Sequence, residues 1–441
     1  MDFYVALTSL GCSKNLVDSE IMLGILKDDN YILTKDFKKA DIIIVNTCGF
    51  ILPAKQESID TILKMAKYKK VGRCQMLIVT GCLTQKYGKE LKKEIPEIDE
   101  ILGTSDFSRI GELVNARFKQ PEAQSSCNAP LAYAKRHLTT PKHTAYVKIS
   151  EGCNNKCTYC LIPELRGNYQ SRPMEEIVTE VRFLISQGVK EINLIAQDTT
   201  YYGLDLYGEE KLAELLEEIS KENIHWIRVF YCYPGRITQK FLDVIASHDN
   251  ICNYLDIPLQ HVDQKILKRM GRKETKESLE RLIQKIRQSI PDISLRTTLM
   301  VGFPGETEEE FQTLLDFVQE QGFDWLGAFT YSQEEDTPAA LFPDQIPEEI
   351  KEERFHRLMT LQHQISSENQ KKWLGKTISV LIEGKSSDNP EYFMGRTEYQ
   401  APDVDGVVLI KSDSSLKAGD IVNVLVTDTD VYDLIGEVSI Q

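Results

Sequence analysis

The sequence predicts an α/β multidomain protein: an N-terminal parallel-sheet domain, a central, partial (β/α)6 barrel and a small five-stranded β-barrel at the C-terminus. Three observations support this fold. The chain has 441 residues, which is too long for one ordinary core. Short apolar runs alternate with helical patterns as far as about residue 342, as in parallel sheets with crossover helices. After Gly375 the pattern changes to closely spaced alternating strands, which is typical of an OB-like barrel.

The composition is that of a soluble globular protein, because apolar residues make up 41% and charged residues 27% of the chain. No apolar run approaches the ~18 residues that span a bilayer, and no basic segment precedes an apolar one at the N-terminus. We therefore expect a cytoplasmic protein without membrane contact, whose ten cysteines stay reduced and available as ligands. The net charge of −15 disfavours nucleic acid as the default partner, because phosphate backbones are bound through Lys and Arg.

The first domain is predicted to span residues 1–119. Its strand candidates are residues 3–10, 41–46 and 75–80, and its helix candidates are residues 18–26 and 53–65. Asp18 is expected to cap the first helix, and Leu52-Pro53 is expected to begin the second. Residues 120–143 lack periodicity and are rich in Pro, Ser and Thr, so we expect a linker there.

A cysteine follows each of the three predicted strands, at Cys12, Cys48 and Cys82. The carboxyl ends of parallel strands meet at one edge of a sheet, so these thiols are expected to converge there. The alternative is that small apolar cysteines are simply common at buried strand ends. Because all three stand beside glycine or threonine, we favour a three-thiolate metal site. Four further cysteines lack this context and are interpreted as incidental surface thiols: Cys74, Cys127, Cys232 and Cys252.

The second domain, residues 144–373, contains six strand-then-helix units and ends in a connecting helix. The strand candidates are residues 145–149, 191–195, 226–231, 253–257, 294–300 and 325–331. Catalytic groups of such barrels lie at the carboxyl ends of the strands. Several polar residues stand in these positions, where each is either a pocket residue or a solvated loop residue: Gln197, Asp198, Gln260, His261, Arg296 and Ser332.

Three closely spaced cysteines follow the first of these strands, at Cys153, Cys157 and Cys160. Thiolates are soft ligands that select zinc, copper(I) or iron–sulfur clusters. A structural zinc site is normally closed by four protein ligands, whereas a four-iron cluster held by three cysteines keeps one iron open. The number of cysteines therefore favours a cluster that binds a further ligand.

The spacing Cys-x3-Cys-x2-Cys, with Tyr159 before the last cysteine, resembles the signature of the radical S-adenosylmethionine (SAM) enzymes. In that family the amine and carboxylate of SAM bind the open iron, and SAM cleavage gives a 5'-deoxyadenosyl radical that removes a hydrogen atom. The resemblance implies a SAM pocket that contains Tyr159 near the adenine, Gly302, Gly305, Gln197 and Arg172.

These pocket residues have alternative explanations. The two glycines lack a Cβ, which permits close approach of a ligand, although glycines at a βα turn need no ligand to explain them. Arg172 and Arg166 can each pair with a carboxylate of SAM or of a substrate, or form a surface ion pair.

The third domain is predicted to span residues 374–441, with strands at residues 377–382, 392–398, 406–411, 420–426 and 434–440. Its place in the chain and the segment Gly395-Arg396-Thr397 resemble the TRAM module, which often binds RNA. Residues 375–441 contain five Lys or Arg and twelve Asp or Glu, a net charge of −7. That charge repels a phosphate backbone and favours a basic protein partner.

The order of these three domains resembles the methylthiotransferase family over essentially the whole chain. The run from Gly11 to Glu20 is similar to the branch that modifies the β-carbon of an aspartate in small-subunit ribosomal protein twelve. The tRNA-modifying branch, which acts on a modified adenosine, differs at the two residues after Cys12 and is the first alternative. A non-enzymatic zinc or cluster protein that uses its last domain for binding is the second.

The resemblance also implies the cofactors and partners. Two 4Fe–4S clusters are expected, an auxiliary one on the first three cysteines and the radical SAM cluster on the second three. SAM is expected to serve both as methyl donor and as radical source, because a side-chain CH2 has no useful acidity and acid–base catalysis cannot activate it. The expected partners are a basic ribosomal protein and a reducing electron donor.

Overall fold

A computed structural model describes residues 2–118, 133, 135–412 and 415–439 of the chain. Most of the predicted linker at 120–143, including Cys127, lies outside these residues, and the three predicted domain boundaries stay predictions. Within the described ranges, no helix combines the length and the apolar character that crossing a membrane requires.

The N-terminal sheet has five parallel strands in the order β2-β1-β3-β4-β5. The strands are β1 Tyr4–Ser9, β2 Ile32–Leu33, β3 Ile42–Thr47, β4 Met76–Gly81 and β5 Glu100–Ile101. The three predicted strands and the parallel sheet are confirmed. The two additional strands lie at the edges and have only two residues each, which is too short to give an alternating pattern in the sequence.

The helices of this part of the chain are α1 Ser13–Asp28, α2 Leu52–Ala66, α3 Tyr68–Val71, α4 Cys82–Glu94 and α5 Ile110–Phe118. The prediction that Asp18 caps the first helix is wrong. Helix α1 begins at Ser13 with Cys12 at its N-cap, and Asp18 lies buried in its second turn. The reason is that the Asp18 carboxylate pairs with cations of the central domain instead of backbone N–H groups. Helix α2 begins at Leu52 and has Pro53 in its first turn, as predicted.

The central sheet has six consecutive parallel strands in the order β13-β12-β11-β10-β9-β6, with two free edges. The strands are β6 Thr144–Lys148, β9 Glu191–Ile195, β10 Trp226–Val229, β11 Ile251–Gln260, β12 Ser294–Val301 and β13 Trp325–Thr330. This is the predicted open barrel. Two short strands, β7 Ser150–Glu151 and β8 Gln170–Ser171, pair antiparallel on either side of the cysteine loop.

Helices follow the strands of the central sheet. They are α6 Ile162–Arg166, α7 Met174–Ser186, α8 Leu212–Ser220, α9 Gln239–Ser247, α10 Gln264–Arg269, α11 Lys276–Ser289, α12 Glu308–Gln321 and the connecting helix α13 Glu348–Gln370. Single turns of 3-10 helix are found at Phe107–Arg109, Thr199–Tyr201, Pro234–Arg236, Pro338–Leu341 and Lys371–Trp373. The apolar faces of these helices pack on the sheet and form the largest core of the protein.

The C-terminal strands form a closed barrel in the order β14-β15-β16-β18-β17, as predicted. They are β14 Thr377–Lys385, β15 Tyr392–Arg396, β16 Val408–Lys411, β17 Ile421–Thr429 and β18 Leu434–Val438. The segment after β15 packs against the first residues of the central strands. The Trp325 Nε1 atom donates to the Tyr399 carbonyl at 2.8 Å, and the Tyr146 hydroxyl donates to Asp403 at 3.0 Å. This small barrel therefore covers the amino-terminal end of the central sheet.

A buried carboxylate, Glu191, fixes this contact. Its oxygens accept hydrogen bonds from Arg396 at 2.6 and 3.1 Å, from Arg228 at 3.1 Å and from the Thr144 hydroxyl at 2.9 Å. Burial acts to raise the pKa of Glu191, but the charges of Arg396 and Arg228 outweigh it and lower the pKa to about 2. Arg396 of the Gly395-Arg396-Thr397 segment is therefore engaged in this buried contact with Glu191.

We predict that Glu191→Gln lowers the free energy of unfolding by about 3 kcal/mol at pH 7, because a pKa that falls from 4.5 to about 2 on folding corresponds to that stabilisation. A lowered pKa makes this contribution complete above pH 4.5, and it is lost as the pH falls towards 2. Denaturant unfolding at several pH values measures the difference between wild type and variant, which should shrink over that range. Glu437→Gln, at an exposed position, is the control. A difference in the free energy of unfolding between wild type and Glu191→Gln that does not change with pH would contradict the assignment.

Candidate metal centres

The first three cysteines converge at the carboxyl edge of the N-terminal sheet. Cys12 caps α1, Cys48 directly follows β3, and Cys82 is the first residue of α4. A Cβ built on Gly11 would lie 3.0 Å from the Cys48 sulfur. The thiols also interact through their charges, because Cys12 raises the pKa of both Cys48 and Cys82. The convergence expected from parallel-sheet topology is therefore present, and the role of these thiols as ligands stays a prediction.

Glycines allow this close approach. Gly11 has a φ of +83° and Gly81 a φ of +102°, a region that residues with a Cβ rarely adopt. A Cβ on Gly81 would also overlap the side-chain oxygen of Asn46 and the carbonyl of Thr47. These two positions require glycine for the strand ends to come together.

The pKa values of the three thiols are shifted in different directions. Burial raises the pKa of Cys48, and it raises that of Cys82 to about 11. Burial acts in the same direction on Cys12, but the cations of Lys14 and Arg166 outweigh it and lower the pKa of this thiol. Cys12 is accessible to solvent although protein surrounds it, so it lies in a recess.

Asn15 joins the ends of the strands that carry the cysteines. Its amide nitrogen donates to the carbonyls of Leu10 and Thr47, both at 2.9 Å. Its side-chain oxygen accepts from Arg166 and lies 3.9 Å from the Cys82 sulfur. The sequence analysis did not single out Asn15. Its position in the Gly11–Glu20 run was the only signal available.

The second three cysteines occupy the loop between β7 and α6. Burial raises the pKa of Cys153 to about 11 and that of Cys160 to about 12, and the charge of Cys157 raises both. The backbone N–H of Asn155 donates to the Cys153 sulfur at 3.4 Å, and that of Ile162 donates to the Cys160 sulfur at 3.5 Å. Hydrogen bonds of this kind stabilise the thiolate form that binds metal.

Neighbouring segments hold this loop in place. The Thr158 N–H and hydroxyl donate to the carbonyls of Met270 at 3.0 Å and Arg269 at 2.8 Å, and the Ala339 N–H donates to the Thr158 carbonyl at 2.9 Å. Gly152 has a φ of +75°, and a Cβ there would overlap the Asn168 carbonyl oxygen. The loop conformation is therefore fixed by contacts on both sides.

The structure places Tyr159 beside the second three cysteines. Its ring makes an edge contact with Phe303, with 6.3 Å between ring centroids. Burial raises the pKa of Tyr159, and the charge of Cys157 adds to this effect. The buried Arg272 lies next to Tyr159 and Cys157. It could not be found from the sequence, because no motif marks its position after helix α10.

The predicted glycines of the SAM pocket are packed against protein. Gly302 has a φ of +71° and its Cβ side faces Lys351, whereas Gly305 has a φ of +80° and faces Asp344. Each position requires glycine for this reason alone. Their contact with SAM stays a prediction that this packing does not support.

The predicted polar residues of the pocket have protein partners. The Gln197 amide donates to Glu151 at 2.6 Å, while its buried oxygen has no donor among the described residues. Arg172 donates to Glu180 and to the Lys148 carbonyl, both at 2.6 Å. Arg172 pairs with protein groups through Nη1 alone, and its buried Nε and Nη2 atoms have no acceptor among the described residues. Gln197 likewise keeps a free acceptor.

The other polar residues at strand ends divide in the same way. Gln260 has a φ of +70° and a buried side-chain oxygen without a donor among the described residues. The remainder contact protein carboxylates or donors: Asp198 accepts from Arg236 at 2.7 Å, His261 lies 3.5 Å from Glu306, Arg296 lies 3.4 Å from Asp405, and Ser332 donates to Glu334 at 2.5 Å.

Four charges join the two cysteine sites, and we call them the charge network: the buried Asp18, Lys148 and Arg166 and the partly exposed Glu151. Arg166 donates to Asp18 at 3.2 Å and to Glu151 at 2.9 Å, and Lys148 donates to Asp18 and, at 2.7 Å, to Glu151. Of the two alternatives for Arg166, the surface ion pair does not apply, because its side chain is buried.

Apolar contacts bring the two sites together directly. Cys82 packs with Leu161, Leu165 and Phe50 in one small buried cluster. Leu161 follows Cys160 in the chain, so one cysteine of each set borders the same contact. The two predicted metal sites therefore face each other across the junction of the N-terminal and central domains.

Both sets of thiols fit an iron–sulfur cluster. In each set the thiolate charges act to raise the pKa of neighbouring thiols, and bound iron relieves this repulsion by holding all three as thiolates. In the ranges that the structure covers, no three His, Cys, Asp or Glu side chains are placed to hold a single metal ion. The ligands of a cluster bind different irons and lie further apart than those of one ion.

The remaining cysteines of the described ranges are Cys74, Cys232 and Cys252. The prediction that they are surface thiols is wrong, because all three are buried. Burial raises the pKa of each, in the case of Cys252 to about 12, so they are packed as small apolar side chains.

Three family models match successive parts of the chain. Residues 4–103 match a family described as the uncharacterized protein family UPF0004, residues 147–318 match the radical SAM superfamily, and residues 374–438 match the TRAM domain. These ranges coincide with the N-terminal sheet, the central sheet and the closed barrel.

Curated relatives match the whole chain. The ribosomal protein uS12 methylthiotransferase RimO of Clostridioides difficile is 52% identical over 98% of both chains. The protein of the same name from Geobacter sulfurreducens is 48% identical over 98% of both chains. The chain belongs to the RimO family of radical SAM methylthiotransferases. It is therefore an enzyme of the transferase class, and SAM with an iron–sulfur cluster are the cofactors of its family.

Solved structures share the fold with this RimO family member. The radical SAM methyltransferase TsrM of Kitasatospora setae, determined with cobalamin and a [4Fe-4S] cluster, has a TM-score of 0.55 at 16% identity and covers 77% of each chain. The cobalamin-dependent radical SAM enzyme OxsB has a TM-score of 0.51 at 12% identity, covering 82% of this chain and 58% of its own. At these identities the similarity concerns the fold alone.

Two glycines beside the second cysteine set provide a matched pair of variants. Gly152 and Gly167 have φ values of +75° and +74°, but a Cβ overlaps a neighbour only at position 152. We predict that Gly152→Ala displaces the loop and lowers iron content after anaerobic reconstitution. Gly167→Ala should retain iron and lose only about 1–3 kcal/mol of stability through backbone strain. Equal iron contents in both variants would show that the overlap at Gly152 has no effect on the site.

Proposed function

We propose that this protein attaches a methylthio group to the β-carbon of an aspartate of ribosomal protein uS12, with two 4Fe–4S clusters. In this proposal Cys12, Cys48 and Cys82 hold the auxiliary cluster, and Cys153, Cys157 and Cys160 hold the radical SAM cluster. The names of the relatives, at about 50% identity over the whole chain, support the reaction and the substrate. The observation that carries the two-cluster mechanism is the contact of Cys82 with Leu161.

The reaction needs both sites close together. When bound, the second cluster with SAM supplies a radical that removes a hydrogen atom, and the auxiliary cluster and a further SAM supply the sulfur and its methyl group. The acceptor carbon has to reach both within one enclosed space. The apolar packing of Leu161, Leu165 and Phe50 around Cys82 keeps water out of the junction between the sites.

Arg166 serves the first site electrostatically. Burial acts to raise the pKa of Cys12, Cys48 and Cys82, and the charge of Arg166 opposes it at all three thiols, with a net lowering at Cys12 alone. The charge of Arg166 is itself held by the two carboxylates of the charge network, Asp18 and Glu151. The protein thus offsets part of the negative charge of a thiolate-bound cluster without using a ligand position.

The surface of the C-terminal barrel supports a basic protein as the substrate. Among the described residues of this barrel, six carboxylates are exposed: Asp388, Glu391, Asp403, Asp428, Asp430 and Glu437. Arg396, the cation of the segment that resembles RNA-binding modules, is buried against Glu191 and Glu383. We infer that this surface attracts a basic ribosomal protein and that no direct nucleic acid contact is made there. The reaction also requires a reducing electron donor.

Replacing each cysteine set by alanine separates the two roles. Without Cys153, Cys157 and Cys160, we predict that SAM cleavage to 5'-deoxyadenosine is abolished while about half of the iron remains. Without Cys12, Cys48 and Cys82, uncoupled cleavage should persist and methylthio product on uS12 should be absent. Mass spectrometry of uS12 and chromatography of 5'-deoxyadenosine measure these outcomes.

Cys74→Ala is the control, because this thiol is buried in the N-terminal core and belongs to neither set. It should retain both activities. Identical behaviour of the two triple variants would contradict the division of roles. Two zinc ions without acid-labile sulfide would contradict the cluster assignment, and salt-sensitive binding of tRNA together with unmodified uS12 would favour the tRNA-modifying alternative.

A further inference from the structure

Lys14 is unusual among the buried cations of this protein. Its residue is only 7% exposed, and its Nζ atom makes no hydrogen bond or ion pair with any residue in the described ranges. Every other buried lysine or arginine in these ranges has a carboxylate oxygen within 4.0 Å, including Lys148, Arg166 and Arg272. Lys14 therefore lacks a protein anion, and its Nζ atom is not among the buried unpaired atoms, so the ammonium itself is open to an external group.

The Lys14 ammonium lies at the junction between the two cysteine sites. Its charge acts on the Cys12 thiol, which borders the solvent-accessible recess of the first site. From the other side, its Nζ lies 3.4 Å from the centre of the Tyr231 ring, just beyond the carboxyl end of strand β10. Tyr231 has a φ of +58°, a strained conformation that is frequent at functional sites. The cation thus extends from the auxiliary site to the open end of the central barrel.

The neighbouring groups do not neutralise this charge. A cation–π contact recovers only part of the cost of removing an ammonium from water. The charge of Lys14 acts to lower the pKa of Asp256, but this carboxylate does not lie within ion-pair distance of Lys14. Burial raises the pKa of Asp256 in spite of Arg296 and Lys14, and its Oδ1 atom lacks a donor among the described residues. The Lys14 ammonium is therefore available to an external anion.

We propose that Lys14 binds the side-chain carboxylate of the acceptor aspartate and selects an acidic side chain as the substrate. This inference rests on the proposed function, since it assigns a residue to substrate recognition at the same site. A chain with a net charge of −15 repels a carboxylate over most of its surface, so it needs a local cation to hold one. A fixed ammonium beside the carboxylate also orients the adjacent CH2 group for reaction.

The test crosses two variants of the enzyme with two forms of the substrate. Purified uS12 is used with its target aspartate intact or replaced by asparagine, and its dissociation constant is measured on the iron-loaded enzyme. We predict that Lys14→Met weakens binding of intact uS12 by about 10- to 100-fold and leaves binding of the asparagine form within about twofold. Lys14→Arg should restore most of the binding, because it keeps the charge.

Lys376→Met is the matched control. Lys376 also contacts an aromatic ring, that of Trp373, but it is exposed in the C-terminal barrel. It should change neither binding constant. The proposal would be overturned if Lys14→Met lost the same binding affinity for both forms of uS12, or lost affinity for neither form. A lowered iron content or an altered cluster spectrum in Lys14→Met and Lys14→Arg would assign the cation to the auxiliary site and would also overturn it.

The outcome separates this inference from the proposed function. Wild-type enzyme that methylthiolates uS12 while Lys14→Met binds both substrate forms equally well would refute the role of Lys14 alone. Wild-type enzyme that leaves uS12 unmodified under reducing conditions with SAM would refute the proposed function, and the inference with it.

Discussion

The arrangement of the two cysteine sites depends on the charge network of Asp18, Lys148, Glu151 and Arg166. Two cations and two carboxylates from two domains share one buried junction, where removal of any one member leaves an uncompensated charge. Such a network gives little net stability compared with apolar packing, but it specifies one arrangement of the domains. Because Asp18 stands on the helix that begins after Cys12 and Arg166 ends the helix after Cys160, that arrangement fixes both cysteine loops.

The chemistry of the sites follows from this placement. Burial raises the pKa of Cys82 and Cys160, the charges of neighbouring thiolates add to this effect, and a bound cluster removes this penalty. Arg166 contributes positive charge to the first site while its own charge is compensated by the network. Lys14 is not compensated in this way, so the junction retains one cation for an anion that comes from outside. In the proposed mechanism the acidic C-terminal barrel attracts a basic partner, and Lys14 then distinguishes one acidic side chain on it.

Much of this organisation was predictable from the sequence, because short-range patterns determine it. The alternation of strands and helices predicted both parallel sheets, and parallel topology then required Cys12, Cys48 and Cys82 to meet at one edge. The charge network was not predictable, because Asp18 and Arg166 are 148 residues apart and belong to different domains. Asp18 resembled a helix cap, and nothing in a local pattern shows that its partners lie across a domain boundary.

The central claim is that the charge network holds the two clusters next to each other, and the magnetic interaction between them tests it most directly. Electron paramagnetic resonance of the fully reduced wild-type protein should show two clusters whose signals are broadened by coupling. In Asp18→Asn the iron content should stay the same, while the coupling should weaken because helix α1 loses its ion pairs with Lys148 and Arg166 beside the cysteine loops. Uncoupled signals in the wild type, or identical coupling in both proteins, would contradict the account.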